Sequence, residues 1–237
     1  MSATILMRRV EAETLDHLPE DDPDAIRSRR DLRRVNRIMG NLPILDSLLG
    51  ASLLRVPAQI AELGAGDGTL LLRLARRRAR EWPGVALTLV DRQDLMSTQT
   101  RADFARAGWT VRTDVMDVFD WLEREGHPRY DAVVANLFMH HFEGDALSRL
   151  FRGIARITDC FVACEPRRAR IALLGSHLVG ALGANEVTRR DAVLSVRAGF
   201  RDRELSACWP KHDGWQLGET DARLFSHTFT AVRRARS

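Results

Sequence analysis

The sequence predicts an α/β fold: a doubly wound, mostly parallel sheet of seven strands, with helices preceding the first strand. Three observations carry this. Residues 59–69, QIAELGAGDGT, pass from an apolar strand through alternating glycines into an apolar helix. Further apolar runs at 86–90, 130–136 and 160–164 alternate with helical patterns, as βαβ units require. The 237 residues contain no internal repeat, and their length suits one domain with a sizeable core.

Residues 1–55 read as an N-terminal arm and helical cover, and 56–237 as the core. The first 22 residues are polar, turn acidic toward Asp22, and are expected to form a loose arm. Asp24 is placed to cap a helix over 25–39, with Leu32, Val35 and Ile38 on its apolar face and Gly40 as its stop. A second helix is expected over 43–53. Val56, Ile60, Ala61 and Leu63 lead into the glycine turn as a buried strand, and Leu70, Leu71, Leu72 and Leu74 open the next helix. The following strand, 86–90, ends in Asp91. A helix near 95–107 leads to a short strand at 109–111, and Asp117 can cap a helical segment after it. The strand 130–136 ends in Asn136. A helix over 145–157 precedes the strand 160–164, and Arg167 and Arg168 sit at that strand's carboxyl end, where they could face a substrate. The apolar stretch 170–183 suits a helix over the site. After a helix reaching Arg197, a closing hairpin of strands is expected at 204–209 and 225–232.

Composition narrows the function. Net charge is +4, and only one of the 36 basic residues, Lys211, is lysine. The run Arg76-Arg77-Arg78-Ala79-Arg80 closes a helix, where cations complement the helix dipole, so a nucleic-acid surface is not expected. No apolar run reaches the roughly 20 residues of a membrane span. Cys160, Cys164 and Cys208 lack both disulfide and metal-site spacing; no metal is expected, and a reducing cytoplasm is the simplest compartment.

The glycine turn then selects the ligand. A phosphate loop of the Walker type needs a lysine that is absent here. The dinucleotide fingerprint spaces its glycines differently, and Glu62, two residues before Gly64, would repel a pyrophosphate while suiting a ligand with a cationic end. Asp91 lies 24 residues after Asp67 (91 − 67 = 24), where an acid closing the second strand can hold a ribose diol. With Glu62, Gly64, Gly66 and Gly68 in register, the chain resembles the class I S-adenosylmethionine-dependent methyltransferases of small-molecule type over about residues 56–232.

The resemblance implies S-adenosylmethionine as cofactor. It places cofactor contacts at Glu62, Gly64, Ala65, Gly66, Gly68, Asp91, Arg92, Asp114, Val115, Asn136 and Leu137, with Asp114 taking the adenine amino group and Asp117 and Asp120 as rival acids. It also implies that the LFMHHF loop faces the reacting methyl group. His140 is then the first candidate base and His141 the second, and His140 and Arg167 are candidate substrate contacts. A histidine with pKa near ~6.5 can help remove a phenolic proton during attack. The expected reaction is O-methylation of a small aromatic, polyketide-like or quinone-like molecule. Methylation of RNA or protein, a non-catalytic cofactor-binding subunit and a NAD-linked enzyme remain rival readings, and an oligomer is compatible with all of them.

Overall fold

A computed structural model describes residues 7–178, 183–211 and 214–234. Its sheet has seven strands in the order β3-β2-β1-β4-β5-β7-β6. These are β1 (Gln59–Leu63), β2 (Ala86–Asp91), β3 (Thr110–Val115), β4 (Ala132–Asn136), β5 (Cys160–Pro166), β6 (Trp215–Ala222) and β7 (Ser226–Arg233). Strands β1 to β5 are parallel, and β7 runs antiparallel between β5 and β6. The chain leaves β1 toward β2 on one side and reaches β4 on the other. The carboxyl ends of β1 and β4 therefore flank the crevice in which open α/β sheets bind ligands.

The helices are α1 (Pro23–Met39), α2 (Asn41–Ser52), α3 (Thr69–Arg78), α4 (Thr98–Arg106), α5 (Val118–Glu123), α6 (Gly144–Ile157), α7 (Arg170–Leu178), α8 (Glu186–Ala198) and α9 (Glu204–Cys208). Alternate residues of each strand serve opposite faces. Ala61, Val133 and Phe161 pack with Trp121 of α5, Phe151 and Ile154 of α6 and Leu205 of α9. Ile60, Leu87 and Val134 pack with Leu45 and Leu49 of α2 and with Leu71 and Leu74 of α3. Helix α2 is thus part of the core on that face. Cys160 and Cys164 lie inside β5, and burial pushes both thiols up to about 12, so they act as small apolar residues.

Several sequence expectations are corrected. Residues 204–208 form α9, not a strand. Leu205 and Trp209, four apart, both bury, and the backbone amides of Leu205 and Ser206 donate to the Glu219 carboxylate. The hairpin's first strand is instead β6. Asp22, not Asp24, caps α1: its carboxylate accepts from the Asp24 and Ala25 amides, and Pro23 opens the helix at a position where its missing N–H costs nothing. The inward face of α1 carries Ala25, Ser28 and Asp31, whereas Ile38 is exposed. The helix docks through polar bonds: Asp31 accepts from the Asn185 amide, and Ser28 bonds the Asn185 side chain. The strand at 109–111 extends through Val115.

Among the described residues, the N-terminal arm is tied down from Arg8 onward rather than loose. Arg8 donates to the Ala198, His140 and Phe142 carbonyls and lies over the Phe200 ring. The Thr14 and Leu15 amides donate to Asp191. Residues 8–15 thus strap the loop after β4 to α8. Among the described residues, no helix is long and apolar enough to cross a membrane. Three arginines of the basic run at the end of α3 are paired with acids: Arg76 with Asp103, Arg77 with Asp46, and Arg78 with Asp46 and Glu81.

Candidate active site

The glycine turn closes β1. Gly64, Gly66 and Gly68 all have φ in the left-handed region, which a side chain would strain. The Gly64 and Ala65 amides donate to the Val90 carbonyl and tie the turn to β2. A Cβ on Gly64 would meet the Phe138 ring at 2.2 Å, so the loop after β4 lies directly on the turn. A Cβ on Gly66 would meet nothing within 4 Å, which leaves open space above the middle of the turn. Asp67 accepts from the Thr69 amide and pairs with Arg33 of α1, so α1 reaches over the same edge.

Two acids flank this open space. Asp91 closes β2 and accepts from the Gly66 amide at 2.8 Å and the Gln93 amide at 3.1 Å. Burial raises its pKa against these bonds. The carboxylate thus sits at the end of β2 beside the open middle of the turn. Glu62 is buried on β1, and its Oε2 has no hydrogen-bond partner. Burial, reinforced by the charges of Asp67 and Asp91, drives its pKa well above the ordinary range. A cationic ligand group would offset that cost. The orphaned carboxyl, the open glycine and the strand-end acid are what a ligand with an ammonium end and a ribose would require.

Asp114 lies on β3, where the Trp121 indole donates to it at 2.8 Å and Arg124 at 3.1 Å. Its neighbour Val115 is half-exposed. Of the rival acids, Asp117 caps α5 through the Phe119 amide and Asp120 sits in the first turn of that helix. Arg92 is exposed, 3.9 Å from Asp16.

The loop after β4 is built by unusual backbone. Asn136 ends the strand, accepts from Asn41 at 2.9 Å and reaches toward Asn36. Leu137 then adopts φ 52°, rare for a residue with a branched side chain, and its amide donates to the Cys164 carbonyl. Such a conformation persists only where its surroundings hold it. Here Glu165, at the end of β5, holds it. One oxygen accepts from the Phe138 and Met139 amides, and the other accepts from the His140 amide and bonds the His140 ring Nδ1 at 2.9 Å.

His140 is buried with both ring nitrogens engaged, because its Nε2 also meets Glu13 Oε1 at 3.3 Å. Burial alone would lower its pKa, but bonds and charge from Glu13 and Glu165 outweigh that and raise it to about 9. Glu13 is correspondingly held below the usual carboxylate range by His140, despite its burial. His141 stacks obliquely on His140 with ring centroids 4.3 Å apart, and its Nδ1 lies 3.5 Å from Asp16. Burial and the neighbouring His140 charge lower its pKa. Arg167 is half-buried and pairs with Asp221 at 2.8 Å; Arg168 is buried against the Gly199 carbonyl and Glu204.

The structure therefore brings Glu62, the glycines and Asp91 together on one edge and sets the His140–His141 loop against the same turn through Phe138. Sequence reasoning missed Glu13, Asp16, Asn36, Asn41 and Glu165. Of these, only Glu165 left a local sign, an acid closing an otherwise apolar strand.

Residues 60–159 match the family model described as a methyltransferase domain. An uncharacterized methyltransferase of Mycobacterium tuberculosis and another of Mycobacterium bovis are each 37% identical over 107 residues, covering 44% of this chain and 49% of each relative. The chain thus spans about half the length of the curated relatives it matches. Among solved structures, the plantazolicin methyltransferase BamL, in complex with a desmethyl analog and S-adenosylhomocysteine, superposes with TM-score 0.67 at 12% identity, covering 94% of both chains. An O-methyltransferase family protein of Burkholderia thailandensis gives TM-score 0.59 at 14% identity, covering 92% of this chain and 62% of the other. At such identities the likeness concerns the fold. Residues 60–159 match a methyltransferase domain, and the chain shares the fold of solved S-adenosylmethionine-dependent methyltransferases.

Proposed function

We propose that this protein transfers a methyl group from S-adenosylmethionine to a small molecule, with an oxygen of a phenolic, polyketide-like or quinone-like compound as acceptor. One observation carries the reading: the orphaned, buried Glu62 carboxyl and the diol-ready Asp91 carboxylate flank a glycine turn open at Gly66. Glu62, Gly64, Ala65, Gly66 and Gly68 cradle the methionine end, Asp91 and Arg92 the ribose, and Asp114 and Val115 the adenine. Asn136 and Leu137 set the loop that faces the methyl group. The cofactor supplies the reactive methyl when bound; the chain aligns the acceptor and excludes water. Within the catalytic pair, His140 is sealed between carboxylates and holds the loop's shape, while His141 is the ring that reaches the acceptor side. Arg167, held by Asp221, borders the acceptor space. The pairing of Arg76, Arg77 and Arg78 with acids argues against an RNA substrate.

Calorimetry tests the cofactor assignment. S-adenosylhomocysteine should bind while NAD and ATP do not, and comparable NAD affinity would overturn it. Replacing Asp91 by alanine removes the diol's acceptor and should weaken S-adenosylhomocysteine binding by about 1–3 kcal/mol, roughly 5- to 150-fold. An unchanged dissociation constant in the folded variant would assign the ribose to another acid.

A further inference from the structure

We propose that Glu13, His140 and His141 bind one divalent transition-metal ion at the acceptor side of the site. A ligand atom from each of the three lies within 4.8 Å of one from each of the others. Nitrogen and oxygen ligands bonded to one ion at about 2.0–2.1 Å stand roughly 3.4 Å apart, so small side-chain rotations close the set. Glu13 Oε1 and His140 Nε2, at 3.3 Å, already have that spacing.

The surroundings fit a metal centre in a second respect. Ligating histidines characteristically give their other nitrogen to a carboxylate, which fixes the ring. His140 does this with Glu165 at 2.9 Å, and His141 has Asp16 at 3.5 Å from its Nδ1. In each ring Nδ1 faces a carboxylate, which leaves Nε2 as the ligand atom. Glu13 is itself oriented by the Ser195 hydroxyl. The arm that carries Glu13 is fastened by Arg8 and by the amides of Thr14 and Leu15, so the third ligand is presented by an anchored segment.

Two imidazoles and one carboxylate favour Zn²⁺ or Co²⁺ over Mg²⁺ or Ca²⁺, which prefer oxygen ligands throughout. Three protein ligands leave a coordination position open, and the oxygen of a phenolic acceptor can take it and be polarised there. This deepens the proposed function by naming what activates the acceptor at the histidine loop, and it rests on that reading for the identity of the oxygen.

The test does not depend on catalysis. The full-length protein, stripped with a chelator, is titrated with Co²⁺ and Zn²⁺ by calorimetry and, for Co²⁺, by visible absorption. One equivalent should bind with the ligand-field bands of a nitrogen–oxygen site, and Mg²⁺ should not compete. Glu13→Gln and His141→Ala should each weaken binding at least tenfold, while the exposed His177→Ala should not. Glu13→Gln preserves the side chain's shape, and circular dichroism verifies that each variant is folded. Lack of saturable one-to-one binding in the wild type would overturn the site, as would affinity unchanged in both folded variants. S-adenosylhomocysteine is titrated separately, so loss of the metal site and loss of the cofactor reading remain distinct results.

Discussion

Replacing His141 by alanine is expected to lower methyl transfer by roughly 10²–10⁴ while leaving S-adenosylhomocysteine affinity nearly unchanged. The size follows from its place. His141 is only partly buried, belongs to the loop packed on Gly64, and in the proposed function is the member of the pair on the acceptor side. On the proposed function, its loss removes the group that would act on the acceptor oxygen, directly or through the proposed cation, and leaves the proposed cofactor contacts in place. His140→Ala should behave differently. It removes the ring enclosed by Glu13 and Glu165 and leaves two carboxylates facing a void, a change typically worth about 3–5 kcal/mol of stability. Thermal melts and steady-state rates on a phenol that the wild type methylates separate the two. A His141→Ala enzyme of normal rate would remove this side chain from the chemistry and leave alignment alone to explain catalysis.

His227→Ala is expected to destabilise the fold by about 3 kcal/mol. His227 lies buried on β7 with Nδ1 2.8 Å from Asp221 and Nε2 3.0 Å from Glu219. Glu219 in turn receives the first-turn amides of α9. Removing the imidazole leaves the fully buried Glu219 carboxylate without its cation. Burial opposes the charged forms of both groups, but their mutual bonds win: the His227 pKa is raised and that of Glu219 lowered. The raised histidine binds more protons folded than unfolded. Its contribution is therefore complete below the ordinary value of 6.5 and is lost as pH rises through the folded value. The depressed Glu219 contributes above its ordinary 4.5 and loses that as pH falls through its folded value. Wild-type melting temperature should thus decline on the alkaline side, and His227→Ala should lose that part of the decline. Equal melting temperatures across the range would show that the pair contributes nothing net.

The glycine turn and the acids beside it were legible in the sequence, because they depend on short-range features. Gly64, Gly66 and Gly68 declare a backbone that side chains disfavour, Glu62 precedes them by a fixed count, and Asp91 closes the next apolar run. Strands β1, β2, β4 and β5 were visible for the same reason: strands buried on both faces are written as continuous apolar runs. Tertiary structure decided the rest. Residues 204–208 became a helix because Glu219, from the next strand, satisfies its first amides. Helix α1 turned its polar side inward because Asn185 meets Asp31 and Ser28. The state of His140 was set by Glu13 and Glu165, which lie 127 and 25 residues away along the chain. Local patterns report a residue's own backbone preferences and exposure. The partners of a buried imidazole, and so its charge, come from whichever distant segments the fold brings against it.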